Sequence, residues 1–243
     1  MKQHLLSRRY FLASSPLTVT VSYSVVTTAL KPRLAFAEEK ISNSPQIKKV
    51  SSEEALNRLM NGNKRYANNL SEQKDYSVGR AERVLGQYPI AAILSCSDSR
   101  VSPEILFDQG QGDLFVVRLA GNFVDDDGLA SLEYAVQFLG VPLIFVLGHT
   151  NCGAVGAAIK VVKENTQLPG NLPELIKSLK PAVLKAQKQD PENLLRATTE
   201  ENVRINVQRL YGDEPIISKA LSDKSITVVG GIYDLATGVV QII

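Results

Sequence analysis

Two cysteines and one histidine lie in two short segments of this chain, and those segments hold every thiol it has. The first reads Cys96-Ser97-Asp98-Ser99-Arg100 and the second Gly148-His149-Thr150-Asn151-Cys152-Gly153. The other histidine, His4, falls in an N-terminal stretch that reads as removable. Two thiolates and one imidazole are three protein donors for zinc, the number that leaves a catalytic zinc its fourth tetrahedral position. The His-x-x-Cys spacing lets one loop entering a helix hold a metal from two sides, and Gly148 and Gly153 are expected to give it a tight backbone path. Asp98 and Arg100 follow Cys96 closely enough to reach such a metal or its donors. Two cysteines in an exported chain also fit a structural disulfide, and Asp98 with Arg100 fits an ordinary loop ion pair. The neighbouring His149 and Asp98 favour the metal.

These segments need elements to position them. Ile90 to Ser95, Leu114 to Val117 and Leu143 to Leu147 are short continuous apolar runs, the pattern of strands buried on both faces of a parallel sheet. Cys96 directly follows the first run and His149 the third. Ligands bind at the carboxyl ends of such strands, beside a topological switch point, so two neighbouring strands would bring both halves of the site to one sheet edge. Ser51 with Glu54 is a capping-box signature for a first helix ending near Asn68, with Ala55, Leu59, Met60 and Tyr66 on one face. Helical spacing returns over Gly128 to Leu139 and Cys152 to Val162. A long mostly helical stretch follows, with expected breaks at Pro169, Pro173, Pro181 and Pro191. A last pair of strands is expected at Ile226 to Ile232 and Val239 to Ile243. The alternation predicts an α/β fold, a mainly parallel sheet flanked by helices with an N-terminal helical arm.

At 243 residues, 44% hydrophobic and 21% charged, the chain can bury a full core. Its formal charge of +2 comes from one end. Five of the 27 Lys and Arg precede Glu38 and none of the 25 Asp and Glu does, so the chain from Glu38 onward carries about −3. A nucleic-acid partner is therefore not expected. The first 37 residues read as an export signal: a basic start, a weakly apolar middle from Phe11 to Leu30, and small residues at Ala35-Phe36-Ala37, with cleavage after Ala37. Ser7-Arg8-Arg9-Tyr10-Phe11-Leu12 is similar to the twin-arginine signal that exports folded proteins. An uncleaved membrane anchor is the alternative; the many Ser and Thr residues and Pro16 argue against it. Residues 38–50 read as a linker and 51–243 as a single zinc-binding catalytic domain, with no membrane span after cleavage. A periplasm is the expected destination, with a thylakoid lumen or a membrane face as alternatives. Folding before export lets the thiols take zinc while still reduced.

The chain resembles the β-class carbonic anhydrases. The likeness rests on Cys96-Ser97-Asp98-Ser99-Arg100-Val101 with Pro103, on Asp113 to Arg118 with Ala120-Gly121-Asn122, on Glu133-Tyr134-Ala135, and on Gly148 to Ala154. It runs from about Ser52 to Ile243 and is densest between Gln87 and Val155. The resemblance implies Cys96, His149 and Cys152 as zinc ligands and an Asp98–Arg100 dyad beside them. Asp98 would either orient a zinc-bound hydroxide or occupy the fourth metal position itself. Gln87, Phe115 and Tyr134 match positions that line the carbon dioxide pocket. Some members are regulated by bicarbonate through a tryptophan; this chain has none, and Ile93 stands in that place.

The implied reaction is reversible hydration of carbon dioxide to bicarbonate and a proton, by a homodimer or larger homo-oligomer with pockets near the subunit interface. Two thiolates neutralise the zinc charge, so activity is expected to rise into the alkaline range. The alternatives are hydrolysis of carbon disulfide or carbonyl sulfide, a non-catalytic zinc protein closed by Asp98, and a redox protein using Cys96 and Cys152 as a disulfide.

Overall fold

Side chains that alternate between two faces need a cover on each, and the apolar runs of this sequence meet that need in a central sheet. The computed structural model describes residues 50–212 and 215–243. The expected export segment and the linker up to residue 49 lie outside the described residues. Strands β1 (Ala91–Ser95), β2 (Leu114–Arg118), β3 (Leu143–His149), β4 (Thr227–Tyr233) and β5 (Val240–Ile242) form a sheet in the order β2-β1-β3-β4-β5. The first four are parallel and β5 runs antiparallel to β4. β1 and β3 are buried at every position, as strands covered on both faces must be.

On one face Ala91, Ile93, Phe145 and Leu147 pack with Ala55 and Leu59 of helix α1 (Ser52–Ala67) and with Leu106 and Phe107 around the short α3 (Pro103–Leu106). The Phe107 and Phe145 rings lie 5.4 Å apart. On the other face Ala92, Leu94, Ile144 and Val146 pack with Leu132 and Ala135 of α4 (Asp126–Gln137), Val203 and Leu210 of α7 (Leu194–Tyr211) and Ile217 of α8 (Ile216–Ser222). Helices α5 (Gly153–Glu164) and α6 (Leu172–Gln189) add a third apolar cluster around Ala158, Leu179 and Val183. A one-turn α2 (Arg80–Arg83) precedes β1.

The first helix starts where its cap predicts: Ser51 Oγ accepts the Glu54 N–H at 3.1 Å. It is an arm bound to the core, because Asn63 ties it to two distant segments. Its amide donates to the Leu106 and Gly238 carbonyls at 3.0 and 2.9 Å, and its Oδ1 accepts the Val240 N–H at 2.8 Å. Pro181 departs from expectation, since it lies inside α6 and the helix continues through it. A mid-helix proline costs about 3 kcal/mol. Here Pro181 and Lys177 both face solvent, so water can bond the freed carbonyl, and burial of Leu179, Ala182, Val183 and Ala186 outweighs the loss.

From β1 the chain crosses to β2 on one side and later returns as β3 on the other, so the switch point falls between β1 and β3. The register pairs Ser95 with Leu147, which brings Cys96 and His149 to one sheet edge. His149 is itself the last residue of β3.

Candidate active site

Three donors converge at that edge. Cys96 leaves β1, His149 ends β3, and Cys152 is the N-cap residue of α5. All three are buried, and one ligand atom from each lies within 4.8 Å of the others. The sulfurs are unbonded and 3.9 Å apart. Tetrahedral zinc with two sulfurs at about 2.3 Å holds them about 3.8 Å apart, so the observed pair already has that spacing. The ring of His149 supplies the third donor in the correct tautomer: Nδ1–H donates to the Thr150 carbonyl at 2.9 Å, which leaves a lone pair on Nε2. Among the described residues that buried Nε2 has no hydrogen-bond partner, an unfavourable condition that a metal ion would relieve. The donor set therefore fits a metal ion.

The two sulfurs are within hydrogen-bond distance of each other, and that contact shifts the two thiols in opposite directions. The hydrogen bond from Cys152 holds the Cys96 thiol well below its ordinary range, helped by the Gly121 N–H. The same bond to Cys96, reinforced by burial, pushes Cys152 up.

Asp98 stands beside the trio and is turned toward Arg100. Its Oδ1 accepts the Arg100 backbone N–H at 3.0 Å and Nε–H at 2.9 Å, and its Oδ2 accepts Nη2–H at 2.7 Å. This fork, chiefly the side-chain hydrogen bond, holds Asp98 well below the usual carboxylate range. Oδ2 also lies 3.8 Å from His149 Nε2, so the carboxylate faces the place the three donors surround. Arg100 reaches the second segment as well, donating to the Asn151 carbonyl at 3.3 Å.

The tight turn between His149 and Cys152 is made differently from expectation. Asn151 takes the left-handed conformation, with a φ of 54°, and neither Gly148 nor Gly153 has positive φ. Asparagine tolerates that region because its short side chain can bond locally. Gly148 is needed for close approach: a Cβ there would sit 2.7 Å from Val203 of α7.

The residue whose role at the site the sequence left undefined is Arg118, at the end of β2. Its guanidinium donates to the carbonyls of Cys96, Asp98 and Val101 at 3.1, 2.7 and 2.8 Å, so one side chain sets the path of the loop carrying Asp98 and Arg100. A charged end to an otherwise apolar strand was the available signal.

Gln87, Phe115 and Tyr134 are not gathered at the trio of the same chain. Phe115 pairs with Ala92, four residues before Cys96, or about 13 Å along the strand. Its ring centroid lies 6.2 Å from that of the half-exposed Tyr134. Gln87 is exposed and precedes the opposite, amino-terminal end of β1. A cleft of about 640 Å³ reaches Thr150 and Asn151, but none of Cys96, Asp98, His149 or Cys152 lines it.

A mainly parallel sheet with two cysteines, a histidine and an Asp–Arg fork at one carboxyl edge defines a narrow class of α/β proteins with donors that could hold a metal, and comparison with known proteins gives its family. Residues 91–240 match the family described as carbonic anhydrase. Carbonic anhydrase 2 of Mycobacterium tuberculosis is 39% identical over 181 residues, covering 74% of this chain and 87% of the relative. A carbonic anhydrase of Mycolicibacterium smegmatis is 40% identical over 165 residues, covering 67% and 79%. Among solved structures, the β-carbonic anhydrase CcaA superposes with a TM-score of 0.61 at 25% identity, covering 77% of this chain and 94% of that one. The chain belongs to the β class of the carbonic anhydrase family and is an enzyme of carbon dioxide hydration.

Proposed function

We propose that this chain is an exported zinc enzyme that interconverts carbon dioxide and bicarbonate, using Cys96, His149 and Cys152 as metal ligands and Asp98 with Arg100 as its orienting pair. The observation that carries the reading is the meeting of three buried donors around an unpartnered His149 Nε2, with the Asp98 carboxylate 3.8 Å away. When bound, zinc would supply the Lewis acidity that makes water a nucleophile toward carbon dioxide near neutral pH.

The protein's own groups do the rest. The three donors leave one position for a small molecule. Asp98, kept ionised by Arg100, accepts a hydrogen bond from the attacking oxygen and points one of its lone pairs at the carbon. By engaging both oxygens of Asp98, Arg100 restrains the carboxylate from becoming a fourth ligand, which supports an open site over a permanently closed one.

A second copy of this chain is proposed to complete the pocket. Phe115 and Tyr134 lie a strand length from the donors of their own chain, and Tyr134 stacks on Phe138 with both rings well exposed. Leu70, Val78, Val84 and Leu85 are also exposed, leaving apolar surface of the kind a dimer buries. Symmetric pairing would let these aromatic side chains and Gln87 line the partner's site.

Export rests on residues 1–37, with a periplasm as the proposed destination; among the described residues no helix is long and apolar enough to cross a membrane. Stopped-flow carbon dioxide hydration on zinc-quantified protein, with carbonyl sulfide and carbon disulfide hydrolysis in parallel, tests the reading. Zinc-dependent hydration is expected; its absence, or faster turnover of a sulfur substrate, would overturn it.

A further inference from the structure

Helix α7 buries two carboxamides, Asn202 and Asn206, at 1% and 4% exposure, on a face that otherwise packs Val203 and Leu210 into the core. Burying an amide without partners is strongly unfavourable, so their bonds explain how the core tolerates them. Asn206 donates to the Asn202 carbonyl at 2.8 Å and to Asn202 Oδ1 at 3.1 Å, while its own Oδ1 accepts the Val124 N–H at 2.7 Å. Held in this way, Asn202 directs its Nδ2–H at the Gly121 carbonyl, 2.8 Å away. The same glycine donates its N–H to Cys96 Sγ at 3.2 Å. Gly121 has a φ of +86°, and a Cβ there would lie 2.9 Å from Leu179 of α6, so the backbone is confined from that side as well.

We infer that Asn202 is a positioning residue of the metal centre: by holding the Gly121 carbonyl it aims the Gly121 N–H at the sulfur of Cys96. A hydrogen bond to a ligand thiolate draws charge from the sulfur and leaves the metal more electrophilic. Outer contacts of this kind commonly set metal affinity within a factor of 10–100. The inference rests on the zinc reading proposed above and adds a residue 106 positions from Cys96 that contacts neither metal nor substrate.

The test uses Asn202→Asp, which keeps the shape of the side chain but replaces its donor with an acceptor. Zinc affinity is measured by chelator competition, and the cobalt-substituted protein is read for its sulfur-to-cobalt charge-transfer band. About tenfold weaker zinc binding is expected, with the band moved to lower energy as Cys96 regains charge. Thr198→Val, equally buried on the same helix and with a hydroxyl that has no hydrogen-bond partner among the described residues, is expected to leave both at wild-type values. If Asn202→Asp does not fold, the same readings are taken on Asn202→Ser, too short to reach Gly121. In cadmium-113 wild-type protein, a scalar coupling between the metal and the Gly121 amide proton reports the bond directly. A wild type that binds neither zinc nor cobalt overturns the zinc reading itself. A wild type that binds both, with an unmoved band in the Asn202 variant or no Gly121 coupling, overturns this inference alone.

Discussion

Asp98 and Arg100 form a closed fork: one carboxylate oxygen takes the backbone and Nε protons of Arg100 and the other takes Nη2–H, while that second oxygen still faces His149 Nε2 at 3.8 Å. The carboxylate therefore serves two directions at once, pinned on the arginine side and open toward the three donors. Arg100 also bonds the Asn151 carbonyl, so it bridges the two loops that carry the three candidate donors.

Removing that pin is expected to separate chemistry from metal binding. Arg100→Ala should lower kcat/KM about 100-fold, the scale of losing one preorganised electrostatic contact. Zinc content should stay at one per chain, because no donor is altered. Metal analysis beside stopped-flow rates checks this, and an unimpaired variant would remove Asp98 and Arg100 from the mechanism.

Metal removal should expose an unequal pair of thiols. The bond between the two sulfurs lowers Cys96 and raises Cys152, so Cys96 is the thiol expected to ionise first in zinc-free protein. Iodoacetamide at pH 6 should label Cys96 well before Cys152, since only the thiolate reacts. The zinc-loaded protein should be slow at both sites. Peptide mass spectrometry reads the ratio; equal labelling would contradict the arrangement.

Acid stability should depend on Asp108, which is buried against Arg65 and Lys74 and also accepts the Glu72 N–H at 3.2 Å. Burial alone would raise its pKa, but Lys74, Arg65 and that amide together hold it below the ordinary value. A depressed folded pKa adds stability above the unfolded value of about 3.9, and this is lost as pH falls through the folded one. Asp108→Asn should thus destabilise by about 3 kcal/mol at pH 7. Its deficit against wild type should shrink toward pH 3. Urea unfolding at the two pH values measures both quantities, and a deficit independent of pH would assign the loss to something other than charge.

Sharing of pocket residues between copies can be read by complementation. Phe115→Ala and Cys96→Ser should each be nearly inactive, the first for want of an aromatic wall and the second for want of a ligand. Unfolded together and refolded as a mixture, random pairing gives half heterodimers with one complete site each, or about a quarter of wild-type activity per chain. A mixture no better than its components would place Phe115 outside the partner's site.

The donors themselves were legible because the signal is local. Cys96 and His149 follow apolar runs, Cys152 opens a helix, and residue type with spacing is enough to mark such positions. Strand and helix periods were readable for the same reason, including the Ser51 cap. Pro181 was misleading because the break it predicts depends on whether tertiary packing outweighs one lost backbone bond.

By itself the sequence determined which groups were available for chemistry and which segments were apolar enough to be strands. Tertiary structure alone decided how those groups are held. Arg118 meets carbonyls up to 22 residues away, and Asn202 meets a glycine 81 residues away. It also decided that Phe115 and Tyr134 lie far from the ligands of their own chain. These are contacts between elements brought together only by burial of the sheet's two faces, and hydrogen-bond geometry across such distances leaves no periodic trace along the chain.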